Sequence, residues 1–237
     1  MSFTVLFVCA ADVCRSPTAA VLLRHAVRDH AFGDIVIASS SAARASKGNQ
    51  RCALAAKQVG ARGADASPML QGAPHAIQLA DIEEANLVLA ADRSIAADVL
   101  RLAPRQRSRV FTIREGAALA AAVVSELRHH SLRGSARHLA RSDDPEASLS
   151  WLVDEMDAAR GKFAVPAPHR RLGLHVRQDR TKAAGSGSGY DVPDVHQDGR
   201  RQHRWMVDLL ADATSQLSDA MVQVSGNAHG SAVPADQ

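Results

Sequence analysis

The chain has 237 residues, 46% hydrophobic and 22% charged, with a formal net charge of +3. That length suffices for one large domain or two small ones, and the apolar share excludes a wholly disordered protein. No apolar run approaches the roughly eighteen residues of a membrane span, and the small positive balance favours anionic ligands without arguing for nucleic acid.

The opening stretch lacks a basic n-region and a small-residue cleavage site, so it reads as a strand rather than a signal peptide. Phe3–Val8 (FTVLFV) is a β-branched and aromatic run of the kind found in buried parallel strands. A loop from Cys9 to Ser16 follows. Pro17 suits the first turn of a helix, in which Ala20, Leu23 and Val27 share a face. Asp34–Ser41 reads as a second strand, and Gln50–Val59 as a helix stopping at Gly60. Ala80–Ala85 is a short helix and Asn86–Asp92 a third buried strand. Ser94–Leu102 is helical, and Arg109–Ile113 is a fourth strand. Strands alternating with helices predict an α/β fold with a parallel sheet.

Beyond Arg114 the pattern changes. Ala117–Arg128 is alanine-rich and helical. Asp144–Arg160 carries Leu149, Leu152, Val153 and Met156 at helical spacing. Phe163–Gly189 has the composition of a loop or disordered segment. Arg200–Val224 returns to an amphipathic helix, with Met206, Leu209, Leu210, Ala213 and Leu217 on one side. The tail 225–237 has no apolar period and is expected to be disordered. Residues 1–224 are read as one domain, with 117–189 an enlarged connection. Arg160–Lys182 holds seven Lys/Arg against one acid, either a steering surface for phosphorylated partners or a solvated loop.

Three cysteines, Cys9, Cys14 and Cys52, make a poor disulfide framework. A reduced, cytoplasmic setting is the simpler expectation. No Cys/His set has zinc spacing, so neither a metal nor another cofactor is expected. Cys52 reads as a packed helical residue.

The chemistry concentrates between the first strand and the first helix, in Cys9-Ala10-Ala11-Asp12-Val13-Cys14-Arg15-Ser16-Pro17. A strand–loop–helix crossover aims backbone N–H groups and the positive helix end at its loop, a ready anion site. Open α/β sheets place ligands at the carboxyl ends of strands, where Cys9 stands. Such surroundings favour a nucleophilic thiolate. Arg15 offers a planar fork for two phosphate oxygens, and Ser16 can donate its hydroxyl to the Cys9 sulfur.

The sequence resembles the low-molecular-weight protein tyrosine phosphatase family. The resemblance lies in FVCAADVCRSPTAAVLLRHA, ANLVLAADRS, LAPRQRSRVFTIRE and YDVPDVHQDGRRQHRWMVDLLADA. The family's phosphate loop reads C-x-G-N-x-C-R-S, and a distant D-P motif supplies its general acid. The resemblance implies a four-stranded parallel sheet flanked by helices in a flavodoxin-like three-layer arrangement. It implies hydrolysis of a phosphomonoester, with phosphotyrosine in a protein as the substrate class. Cys9 would be the nucleophile, residues 10–16 the phosphate-binding loop, and Arg15 the ligand of the phosphoryl oxygens. Asp194 would be the general acid. Asp144-Pro145 is a literal Asp-Pro, but it opens a helix and reads more simply as an N-terminal cap. Cys14 would trap oxidised Cys9 as a disulfide, or else is a small buried residue. Two alternatives stay open: an arsenate reductase on the same fold using a small external thiol, and a non-catalytic phosphate- or phosphoprotein-binding module.

Several residues depart from the family pattern. Ala11 and Asp12 replace its Gly and Asn, so Ala11 is expected to be strained if its φ is positive. Asp12 would add a negative charge beside the phosphate and weaken binding, unless a basic partner behind the loop holds it. Val195 and His196 stand where a proline and an aromatic are common. Ala42–Gly48 also lacks an aromatic. Tyr190 and Trp205 are the remaining candidates for a ring clamp, with Trp205 more simply a core residue. The oligomeric state is not legible.

Overall fold

The computed structural model describes residues 2–44, 50–128, 144–163 and 189–225. Four strands form one all-parallel sheet: β1 (Phe3–Cys9), β2 (Val36–Ala42), β3 (Leu87–Ala90) and β4 (Val110–Thr112), in the order β2-β1-β3-β4. β1 is central and, apart from half-buried Thr4, buried on both faces, which is why its sequence is apolar on both faces rather than alternating. The period of two divides its side chains. Phe3, Val5, Phe7 and Cys9 belong to one hydrophobic cluster, and Leu6 and Val8 to the other. The chain passes from β1 outward to β2 and later returns to β1's other side as β3. That reversal is the switch point where open α/β sheets bind ligands. Cys9, paired with Ala42 in register, ends β1 there.

Eight α-helices complete the described fold. They are α1 (Arg15–Val27), α2 (Ala53–Gly60), α3 (Ser67–Gln71), α4 (Leu79–Glu84), α5 (Arg93–Leu102), α6 (Ile113–Arg128), α7 (Pro145–Ala158) and α8 (Arg200–Ser225). One face of the sheet carries α4 and α5 through Ile82, Ile95 and Val99. The other carries α1, α2, α6, α7 and α8 in a larger cluster. Leu149, Trp151, Leu152, Val153 and Met156 of α7 are buried in it. So are Met206, Val207, Leu210, Ala213 and Leu217 of α8. Gly116 lets α6 sit close to the sheet: a Cβ there would stand 2.7 Å from the Leu89 Cδ2 atom.

Several details depart from the sequence reading. α1 begins at Arg15, so Arg15 and Ser16 are helical rather than loop residues. α3 is absent from the sequence reading. β4 stops at Thr112, because Thr112 and Glu115 exchange backbone-to-side-chain hydrogen bonds, each 3.2 Å, in a capping box that starts α6 at once. Leu209 is only half-buried, and Val207 takes its place in the apolar stripe. Ser225, assigned to the tail, is the last residue of α8. The tail from 226 and most of the 163–189 and 160–182 segments lie outside the described residues, as does most of Ala42–Gly48.

Candidate active site

The loop between β1 and α1 holds Cys9 at its start and Cys14 as the residue before the helix. No side chain caps the first turn of α1, so its amides keep their capacity for an anion. The hydroxyl of Ser16 lies 3.0 Å from the Cys9 sulfur and 2.9 Å from Asp12 Oδ1. Both are buried, so the contact is made without competing water.

Asp12 is fully buried and has φ +52°, the only positive φ among the described non-glycine residues. It takes the left-handed conformation that Asp, like Asn, adopts more readily than most residues. Ala11 does not share that conformation, and the expected strain there is absent. Asp12 also has the basic partner behind the loop that the sequence reading allowed for. Asp12 Oδ1 pairs with Arg51 Nη1 at 2.8 Å, and Oδ2 accepts the His75 N–H at 3.0 Å. Arg51 further donates to the carbonyls of Asp12, Gly72 and Ala73. The carboxylate is thus neutralised behind the loop. Sequence reasoning missed Arg51, and nothing in its neighbourhood marks it.

Arg15 is 4% exposed. Its Nη1 donates to Asp92 Oδ2 at 2.8 Å and to the Val192 carbonyl at 3.1 Å, and its Nη2 donates to Asp194 Oδ2 at 2.8 Å. Among the described residues, Nε–H and the second Nη2–H find no acceptor, which leaves donors for two phosphate oxygens. Burial opposes the guanidinium charge, but Asp194, Cys9 and Asp92 outweigh it and raise its pKa.

Asp92 is a second residue missed as a site group. It caps α5, accepting from Ile95 N and the Ser94 hydroxyl with Oδ1. Burial works to raise its pKa, but the Arg15 charge and these hydrogen bonds hold it below the usual carboxylate range. An Asp at a strand end before a helix was the available signal.

The segment carrying Asp194 is fixed to the sheet. The Val192 N–H donates to the Ala91 carbonyl at 2.8 Å, Val192 and Val195 are buried, and Asp191 pairs with Arg93. Asp194 itself projects into solvent, 56% exposed, with its carboxylate on Arg15. Asp144, the competitor, caps α7 by accepting the Glu146 N–H at 3.0 Å. Tyr190 stacks under Arg93, its ring centre 5.8 Å from the guanidinium carbon. Trp205 is half-buried on α8 rather than a core residue.

Cys52 is not inside a helix. It is the residue that precedes α2, and its N–H donates to the Val13 carbonyl at 3.0 Å. Its sulfur lies 3.2 Å from His203 Nε2. A hydrogen bond from Cys14 lowers its pKa to about 4, against the effect of burial, with help from the Ala55 N–H, His196 and His203. The same hydrogen bond and burial push Cys14 up. All three cysteines are free thiols. The sulfurs of Cys14 and Cys52 and one ring nitrogen each of His196 and His203 lie within 4.8 Å of one another. These four residues come from four separate places in the sequence, so no spacing announced them.

No helix among the described residues is long and apolar enough to cross a membrane. Solved structures share this fold at low identity. A protein tyrosine phosphatase from Entamoeba histolytica is 16% identical, with a TM-score of 0.55, over 91% of this chain and 94% of that one. The tyrosine phosphatase AmsI of Erwinia amylovora is 13% identical, with a TM-score of 0.54, over 93% of each chain. The arginine phosphatase YwlE from Geobacillus stearothermophilus is 16% identical, with a TM-score of 0.52, over 92% of this chain and 91% of that one. No curated protein matches the chain in sequence. Residues 4–125 match the family model for low molecular weight phosphotyrosine protein phosphatases, a span that includes Cys9 and Arg15 and ends before Asp194. With a thiol, an arginine and a helix start gathered at the carboxyl end of the central strand, the chain belongs to that family of cysteine-dependent phosphatases.

Proposed function

We propose that the protein hydrolyses phosphotyrosine in phosphorylated proteins, with Cys9 as nucleophile, Arg15 as phosphate ligand and Asp194 as general acid. The observation that carries this reading is the Arg15–Asp194 ion pair of 2.8 Å in the same site as the Ser16–Cys9 contact of 3.0 Å. Phosphate entering the site formed by residues 10–16 would take the remaining donors of Arg15 and compete with Asp194 for the guanidinium. Asp194, released from Arg15, takes up a proton from solvent and turns to the leaving oxygen, while the Cys9 thiol gives its proton to solvent. The Cys9 sulfur forms a bond to phosphorus while the phosphorus–oxygen ester bond breaks, and the Asp194 carboxylic acid gives its proton to the departing oxygen. Water then attacks the phosphocysteine, losing its proton to Asp194, and the sulfur–phosphorus bond breaks to release phosphate. Arg15 and the loop amides hold the charge that spreads over the equatorial oxygens.

A reduced, cytoplasmic setting fits a site that depends on a free thiol. The substrate reading is tested by comparing phosphotyrosine and phosphoarginine peptides, since YwlE carries arginine phosphatase activity on this fold. Phosphotyrosine is expected to give the higher kcat/KM. A preference for phosphoarginine would replace the substrate. Turnover of p-nitrophenyl phosphate with chelator present is expected of the wild type. Binding of phosphate without turnover would favour the binding-module reading. Thiol-dependent arsenate reduction faster than ester hydrolysis would favour the reductase.

A further inference from the structure

Cys14, Cys52, His196 and His203 converge from four elements: the end of the phosphate loop, the start of α2, the segment after Asp194 and the first turn of α8. Their donor atoms lie within 4.8 Å of one another, with Cys14, Cys52 and His203 buried and His196 exposed. A tetrahedral zinc ion, about 2.3 Å from sulfur and about 2.0 Å from nitrogen, needs donors roughly 3.3–3.8 Å apart. Cys52 Sγ and His203 Nε2, at 3.2 Å, sit just inside that spacing and need to part by only a few tenths of an ångström. His203 Nδ1 lies 3.1 Å from the Gly199 carbonyl. A ring that donates Nδ1–H to that carbonyl keeps its lone pair on Nε2, toward the sulfurs, as outer-shell bonding does for metal-ligating histidines.

We propose that these four residues form a closed zinc site beside the active centre. Two thiolates and two imidazoles suit zinc, whereas calcium and magnesium need oxygen donors. Four protein ligands leave no position for substrate, so the role is structural. On binding, two sulfur–zinc and two nitrogen–zinc bonds form, and any protons still on the thiols pass to solvent; no electron is transferred. The ion would tie the phosphate loop, through Cys14, to the Asp194 segment, through His196. It would also keep Cys14 from bridging to an oxidised Cys9. His196, which stands where the family commonly has an aromatic, thereby gains a reason. The site does not include Cys9 or Arg15, and its test is independent of their roles.

The full chain, reduced with a phosphine and dialysed against chelator, is titrated with cobalt(II) and then zinc. The expected result is one cobalt per chain, a tetrahedral d–d spectrum with a thiolate charge-transfer band, and displacement by zinc. Cys52→Ser should cut the band to at most the share of the one remaining thiolate and weaken zinc binding at least about 100-fold, beyond the usual 10–100-fold cost of an outer-shell loss. His196 is exposed, so His196→Gln spares the fold and should weaken zinc at least about tenfold. Cys9→Ser should leave binding unchanged. Absence of a charge-transfer band in the reduced chain overturns the proposal. So does unaltered zinc affinity in folded His196→Gln, or binding that is lost in Cys9→Ser.

Discussion

The hydroxyl of Ser16 has one proton and two near acceptors, the Cys9 sulfur at 3.0 Å and Asp12 Oδ1 at 2.9 Å, with the Ser41 carbonyl farther off at 3.4 Å. With Cys9 protonated, the thiol can donate to Ser16 and Ser16 to Asp12. With Cys9 ionised, the Ser16 proton turns to sulfur. Hydrogen bonds to charged groups contribute about 1.5–3 kcal/mol. Ser16→Ala should therefore lower kcat/KM by roughly 10- to 100-fold while leaving the fold intact by circular dichroism; an unchanged rate would show that the hydroxyl does not support the nucleophile. Asp12 poses a different question at the same loop. Its charge is matched by Arg51, at 2.8 Å and 8% side-chain exposure. Asp12→Asn keeps the shape but leaves Arg51 without its carboxylate. The expected cost is about 2–3 kcal/mol in urea unfolding, together with reduced activity. Stronger phosphate inhibition with unchanged stability would restore the repulsive view. The loop's chemistry was legible from Cys9, Arg15 and Ser16, because their types and the strand–helix context suffice. The sign of Asp12's effect was not, because it depends on Arg51, 39 residues away in the chain.

Two helix caps separate architecture from chemistry. Asp144 and Asp92 both accept the N–H groups of a helix start, but Asp92 also holds Arg15. Asp144→Ala should cost about 0.5–2 kcal/mol of stability and leave the dependence of rate on leaving group untouched. Asp194→Asn should show the opposite pattern. It should lose roughly 10²–10⁴-fold on phenyl phosphate and far less on esters with very acidic leaving groups. A leaving-group effect in Asp144→Ala but not in Asp194→Asn would reverse the assignment. For Asp92 the sign follows from its lowered pKa. Its contribution to stability is complete above the ordinary carboxylate value near 4 and is lost as pH falls through the depressed folded value. Asp92→Asn should therefore lose stability at neutral pH, and its acid limb should be flatter than the wild type's; parallel pH–stability curves would exclude that role. The strands and long helices were legible from period and composition. Their junctions were less so: Ile113 reads as a β residue, yet the Thr112–Glu115 capping box commits it to a helix.

Across the whole molecule, the parallel sheet was readable from four strand-like runs separated by helical segments. The sheet order places Cys9 at the switch point, and α8 closes the larger core while bringing the Asp194 segment back over β3 through Val192 and Ala91. What the sequence left hidden are contacts made by distant segments. Cys14 with Cys52, His196 and His203, and Asp12 with Arg51, exist only once α2 and α8 dock beside the loop. The central claim is that the phosphoryl group passes through the Cys9 sulfur. The most direct test is to quench turnover of p-nitrophenyl phosphate within the first cycle and locate the modification by mass spectrometry. The account predicts a single phosphoryl group on Cys9, absent from Cys9→Ser, whose turnover falls at least about a thousandfold. A phosphoryl group on another residue, or full turnover by Cys9→Ser, would contradict it.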